Sequence, residues 1–242
     1  MLSEIRDGTQ IPIPAGGRPV STRQPHRYYD MLRTDKLFIK LASGYFFEVV
    51  EQSPVFAVPG PSLNPIRRPD EEEYPANLDR LRGRYPDLGR LPIPPPHLHF
   101  LLIHKLHHER LTQRFRSRIP EAAFVLVETQ RADSWPAIIQ RAIDGKTLLE
   151  LIDQPAPSEE RLPIAEELSQ YNGSLHIDWA YENFVWSGGM LFYVDSKPTL
   201  FRTERKNEEN KRFLLKRFVR PYSRSLSGSK VAPKRWWKFW RP

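Results

Sequence analysis

The sequence predicts an α+β fold, and three observations carry that prediction. A long helical repeat at 97–118 runs into a pair of strands at 122–128 and 137–143. A helix at 158–171 precedes a tight hairpin built from 184–186 and 190–194. The 242 residues are 39% hydrophobic and 12% aromatic, enough to bury the core of one large domain or of one small domain in two lobes.

The elements follow in chain order. Residues 1–35 are polar and turn-rich, with Gly16 and Gly17 and several prolines. Residues 36–41 and 45–50 read as short strands, rich in Phe, Ile, Leu, Tyr and Val. From Pro54 to Pro96 prolines punctuate the chain, and one helix around 71–82 is expected in an otherwise loop-like stretch. Leu98, Leu102, Leu106, Leu111 and Phe115 recur at helical spacing until Pro120 stops them. The strand at 122–128 pairs with that at 137–143 through a turn at 132–136, and Asp144 and Gly145 break the second strand. A short helix at 146–152 follows. The helix at 158–171 has Ser158 as cap, Glu159 and Glu160 in its first turn, and Asn172-Gly173 at its end. The turn Ser187-Gly188-Gly189 closes the hairpin, and a basic amphipathic helix is expected at 204–219.

Composition narrows the function classes. With no cysteine, disulfides and thiolate zinc sites are excluded, and a reducing, cytoplasmic setting is expected. Met1 to Ile13 lacks the apolar run of a secretory signal, and no 18 consecutive uncharged apolar residues occur. The net charge of +8 is uneven: residues 202–242 hold 14 Lys/Arg against 3 Glu, a local +11, which leaves the first 201 residues at −3. The basicity therefore belongs to the end of the chain rather than to a basic domain.

The stretch richest in chemistry is His176-Ile177-Asp178-Trp179-Ala180-Tyr181-Glu182-Asn183, with Asp195 at the end of the hairpin that follows. Here the chain resembles the protein-kinase-like superfamily, whose catalytic loop reads H-x-D-x-x-x-x-N and is followed by a hairpin and a metal-binding Asp. The resemblance implies a two-lobed fold with an N-lobe over 1–143, carrying a proline-rich insertion at 54–96. A reduced C-lobe with the catalytic loop would occupy 144–220, and 221–242 would form a basic, Trp-rich tail. It implies ATP and Mg2+ as cofactors. Asp178 would be the catalytic base, Asn183 and Asp195 the Mg2+ ligands, and His176 a structural residue of the loop. Lys40 resembles the strand lysine that pairs with the α- and β-phosphates. Its ion-pair partner is expected on the helix before residue 122, with Glu109 first and Glu48 and Glu51 behind it. The hinge at 140–145 would present backbone groups to the adenine.

The resemblance is partial. No G-x-G-x-x-G is present, and Gly16-Gly17 is a poor substitute. Ser196-Lys197 follows Asp195 where the family has Phe-Gly, Ala180 stands where a lysine is usual, and only 47 residues remain after Asp195. These departures point to an atypical, minimal kinase-like phosphotransferase whose acceptor is a small molecule, a lipid or sugar, or a protein. The rival class is a catalytically inactive kinase-like scaffold that binds a partner or a membrane surface.

Two other features carry weight. His97, His99, His104, His107 and His108 crowd one helix, and His104 and His108 share a face as metal ligands can, but no third distant ligand is apparent. Trp236, Trp237, Phe239 and Trp240 are interleaved with Lys234, Arg235, Lys238 and Arg241. Such a tail suits peripheral membrane contact over 230–242, packing back on the domain or, ranked third, single-stranded nucleic acid.

Overall fold

The computed structural model describes residues 2–14, 16–19, 29–42, 78–128, 134–153, 158–171, 177–195 and 204–219. Within them the chain is mixed α/β, with one six-stranded mixed sheet and one three-stranded sheet.

The large sheet consists of β1 (Gln10–Pro12), β2 (Arg18–Pro19), β3 (Tyr29–Arg33), β4 (Leu37–Ala42), β5 (Ala122–Glu128) and β6 (Ser134–Arg141), in the order β1-β5-β6-β4-β3-β2. Only the β1–β5 pair is parallel. Central β5 and β6 are buried on both faces, which their near-continuous apolar runs require. Lys40 lies opposite Ile138 on one side and Met31 on the other, deep in the sheet.

Helices cover one face. α1 (Leu78–Arg84), α2 (Pro86–Gly89) and α3 (Pro95–Phe115) bury Leu81, Leu88, Leu98, Leu102 and Leu106 with Phe124 and Ile138. The other face packs Leu37, Ile39, Val125, Val127 and Ile139 under Leu2, Ile5 and Ile11. α3 has 21 residues, so it runs about 32 Å. Its last apolar residues, Leu111 and Phe115, leave the first core and enter another.

That second core gathers α4 (Leu148–Asp153), α5 (Ser158–Ser169), the small sheet and α6 (Glu204–Leu214), which continues as a wider turn over Leu215–Val219. The small sheet has β7 (Lys146–Thr147), β8 (Phe184–Ser187) and β9 (Met190–Tyr193) in sequence order. Gly188 and Gly189 both take positive φ, which makes the two-residue hairpin turn possible. Gly145 is needed for a different reason: a Cβ there would lie 2.2 Å from the Trp186 carbonyl oxygen.

Several expectations are corrected. The helix expected around 71–82 is seen as α1 from Leu78, α2 follows where loop was expected, and their Leu81 and Leu88 complete the first core. β3 lies in the stretch read as turn-rich, because its alternation is masked by Asp30 and Arg33 at the strand's exposed positions. Lys146 and Thr147 begin as a strand paired with Trp186 and Val185 before the helix starts. The strand expected at 45–50, residues 54–77 of the expected insertion at 54–96, and the tail at 221–242 lie outside the described residues.

Candidate functional site

Lys40 sits in β4 at 4% exposure, and burying an ammonium without compensation is costly. Its compensation comes from 154 residues further along the chain. Nζ donates to the Val194 carbonyl at 2.9 Å and lies 3.7 Å from Asp195 Oδ1. The rings of Tyr29 and Phe38 flank the ammonium at 6.0 and 5.9 Å. Asp195 is itself buried, at 7% exposure. This buried pair joins the large sheet to the end of the hairpin.

The hairpin carries Asp195 to Asn183. Phe184 pairs with Tyr193, and the Val194 N–H donates to the Asn183 carbonyl at 2.9 Å, which extends the ladder by one step. The Asn183 side chain in turn reaches Asp178, with Nδ2 at 3.5 Å from the Asp178 carbonyl. Lys40 thus meets Asp195 directly, while Asn183 joins the hairpin's end through Val194 and the loop through the Asp178 carbonyl.

The loop holding Asp178 is shaped by its neighbours. Ile177 and Trp179 are buried in the second core, so the carboxylate between them is held at that core's edge, partly exposed. Three successive backbone N–H groups then find side-chain acceptors. Asp178 N–H donates to the Tyr193 hydroxyl at 2.8 Å, Trp179 N–H to Asn207 Oδ1 at 3.0 Å, and Ala180 N–H to Asp178's own Oδ1 at 3.1 Å. The last is an Asx turn, which orients the carboxylate. On α6, Asn210 accepts from the Tyr181 hydroxyl at 3.3 Å and the Lys211 ammonium lies 5.6 Å from the Trp179 ring. Burial raises the Tyr181 phenol above its usual range, so its hydroxyl stays protonated as a donor.

Glu109 is placed elsewhere, which corrects its expected pairing with Lys40. Its carboxylate accepts from Tyr85 at 2.7 Å and from Arg84 at 3.4 Å, and Lys105 stands at 3.9 Å. Helix geometry explains the difference. Tyr29, whose ring flanks Lys40, meets α3 through His104, and Glu109 is five residues on, about 140° around the helix. Glu48, Glu51 and His176 lie outside the described residues. Within the expected hinge, the Arg141 and Ala142 N–H groups are engaged by the Glu121 and Lys36 carbonyls, and the Asp144 carbonyl accepts from Ser187.

On α3, His104, His107 and His108 are buried core residues, and His97 and His99 are half-buried. His104 Nδ1–H donates to the Phe100 carbonyl at 2.7 Å, so Nε2 accepts from Tyr29 at 2.6 Å. His108 Nε2–H donates to the Pro120 carbonyl at 3.0 Å, and His97 packs edge-on against Trp135 at 4.9 Å. Burial pushes His99 down to about 4 and lowers His108 as well. Among the described residues no three His, Cys, Asp or Glu side chains form a metal-holding group.

Sequence reading missed Tyr193, Asn207 and Asn210. Nothing local marks Tyr193, a strand tyrosine. Asn207 and Asn210 did leave a trace, since two asparagines three apart share one face of an otherwise charged helix.

No protein family and no curated protein matches the chain. A solved structure described as the complex structure of Rv3197–erythromycin from Mycobacterium tuberculosis is similar at 16% identity and a TM-score of 0.35, over 84% of this chain and 53% of that one. The chain therefore spans about half the length of that neighbour.

Proposed function

We propose that the chain is an ATP- and Mg2+-dependent phosphotransferase of kinase-like type, acting on an acceptor hydroxyl. The observation that carries this reading is the buried meeting of Lys40 and Asp195 beside the loop of Asp178 and Asn183. A strand lysine, a hairpin-end aspartate, a loop aspartate and an asparagine five residues after it are the set that the kinase-like resemblance requires. In the two-lobed reading, the large sheet with α3 is the first lobe and the small sheet with α4 to α6 the reduced second. The described residues place no glutamate of α3 at Lys40, so this reading departs from the usual family pairing at that point.

The residues suit the proposed cofactors. Asp195 and Asn183 offer carboxylate and amide oxygens, hard donors that match Mg2+. Mg2+ bound with a nucleotide takes only one or two protein ligands beside phosphates and water, so no three-residue cluster is needed. When bound, Mg2+ and ATP supply the transferable phosphoryl group and the charge that neutralises it. Lys40 meets the Val194 carbonyl and the Asp195 carboxylate, and its proposed role with nucleotide bound is to hold phosphate oxygens. Asp178, with Oδ1 anchored by the Ala180 N–H, accepts the hydrogen bond of the attacking hydroxyl and then its proton. Tyr193 and Asn207 hold the loop amides and so keep that carboxylate aimed.

The test is the Asp178→Ala variant, measured for nucleotide binding and for release or transfer of radiolabelled γ-phosphate. The expected result is retained ATP binding with turnover lower by about 10²–10⁴-fold. Turnover at the parental rate overturns the assignment of Asp178. Nucleotide binding by the parent with no turnover favours the inactive scaffold.

A further inference from the structure

α6 has two roles along its length. Its first half holds the Asp178 loop through Asn207, Asn210 and Lys211. Its second half turns Leu214 and Phe218 into the second core and turns Arg212, Phe213, Lys216 and Arg217 outward. Positions 212 and 216, and 213 and 217, are each four apart, so the four form one stripe. Phe213 is 41% exposed, and only Ile13 and Leu162 are comparable large apolar side chains among the described residues. Its ring stacks on Tyr181 at 5.0 Å, so the stripe borders the loop itself.

The sequence continues the same chemistry. No acidic residue follows Glu209, while basic residues recur to the end of the chain and Trp236, Trp237, Phe239 and Trp240 crowd its last stretch. Residues 231–242 contain no Ser, Thr, Asn, Gln, Asp or Glu with which to read a base or a peptide. Large aromatics mixed with Lys and Arg are the chemistry of the bilayer interface. There the rings settle at headgroup depth and the cations meet anionic lipid. Contiguous tryptophans suit that interface better than the spaced stacking platforms used for single-stranded nucleic acid.

We propose that the outward stripe of α6 is a docking surface for an anionic lipid bilayer, a partner that the basic, aromatic sequence of 231–242 also suits. Because Phe213 packs on Tyr181, docking through 212–217 brings the Asp178 loop beside the bilayer surface. The inference does not rest on the phosphotransfer reading, since lipid binding is measured without nucleotide.

The experiment uses the full chain and vesicles of phosphatidylcholine with and without one third phosphatidylglycerol, read by co-sedimentation at low and high salt. The expected result is binding to the anionic vesicles alone, weakened by salt, and reduced by more than about tenfold in the Arg212→Glu/Lys216→Glu variant. Because the chain has no cysteine, Lys216→Cys also takes a single fluorophore. A lipid-borne quencher should quench it, and should not quench the same label at Asp87→Cys on α2 against the first core. Three results overturn the proposal: no vesicle binding, equal binding to neutral vesicles, or anionic binding with an unquenched label at 216 and an unweakened charge variant. Binding of a single-stranded oligonucleotide by a chain that ignores vesicles overturns it as well.

Discussion

The histidine-rich face of α3 and the loop–hairpin end of the second core both concentrate side chains capable of chemistry, and they resolve differently. Five histidines fall within 97–108, all on one helix. Their described partners are core groups: the Tyr29 hydroxyl, the Phe100 and Pro120 carbonyls and the Trp135 ring. The loop–hairpin end is poorer in such residues, yet Lys40 from β4 meets Asp195 from the hairpin's end, beside the loop in which Asn183 reaches the Asp178 carbonyl. Density on one element is a packing pattern here. Convergence from several elements makes a candidate site, because each buried charge there is compensated by a group the local sequence does not supply.

The sharpest way to break that comparison is Lys40→Met. Removing the ammonium leaves the Asp195 carboxylate buried beside an apolar side chain, at a cost of about 3 kcal/mol in unfolding free energy. The double variant Lys40→Met/Asp195→Asn should recover much of this loss, since the stranded charge is gone. Urea unfolding of the two single variants and the double variant measures the coupling. A double variant whose loss equals the sum of the two single losses would show that the pair is not energetically coupled.

Acid separates the two regions next. His99, held down to about 4 by burial, is neutral in the folded chain but takes a proton near 6.5 when unfolded. Below 6.5 the unfolded state binds more protons, so this stability is full above that pH and falls away as pH drops toward 4. The loss should reach about 1–3 kcal/mol, with His108 adding in the same direction. The His99→Gln variant should unfold with a shallower pH dependence than the parent between pH 7 and 4.5; an unchanged profile would exclude His99 as its source.

The smallest expected effect belongs to Tyr29→Phe. The ring beside Lys40 remains, while the hydroxyl bound to His104 is lost, so stability should fall by about 1 kcal/mol and nucleotide affinity should hold. A fall in nucleotide affinity at unchanged stability would move Tyr29 out of the core and into the candidate site.

How much was legible beforehand follows from the range of the interactions. Helix spacing in α3 and the apolar runs of β5 and β6 are local, and they placed those elements within a few residues. The motif Asp178-x-x-x-x-Asn183 and the hairpin to Asp195 are also local, so the candidate site could be named from the chain alone. Its supports could not. Tyr193 reaches Asp178 and Asn207 reaches Trp179 only after the second core has formed. Glu109 was expected at Lys40 from its place on a helix, but the face it occupies is set by how α3 rolls against Tyr85 and the sheet. The helix expected at 71–82 meets α1 over 78–82, while β3 and α2 were hidden for a similar reason. Their apolar residues are few, and each buries only against α3 or the sheet.

The proposal's central element is one nucleotide–magnesium site shared by Lys40, Asn183 and Asp195. The most direct test is calorimetric titration of the full chain with ATP, with and without Mg2+, repeated on Asp195→Ala. The account predicts binding that requires Mg2+ in the parent and is weakened by about 10–100-fold in the variant. Absence of Mg2+-dependent binding in the parent, or equal binding by Asp195→Ala, would contradict it.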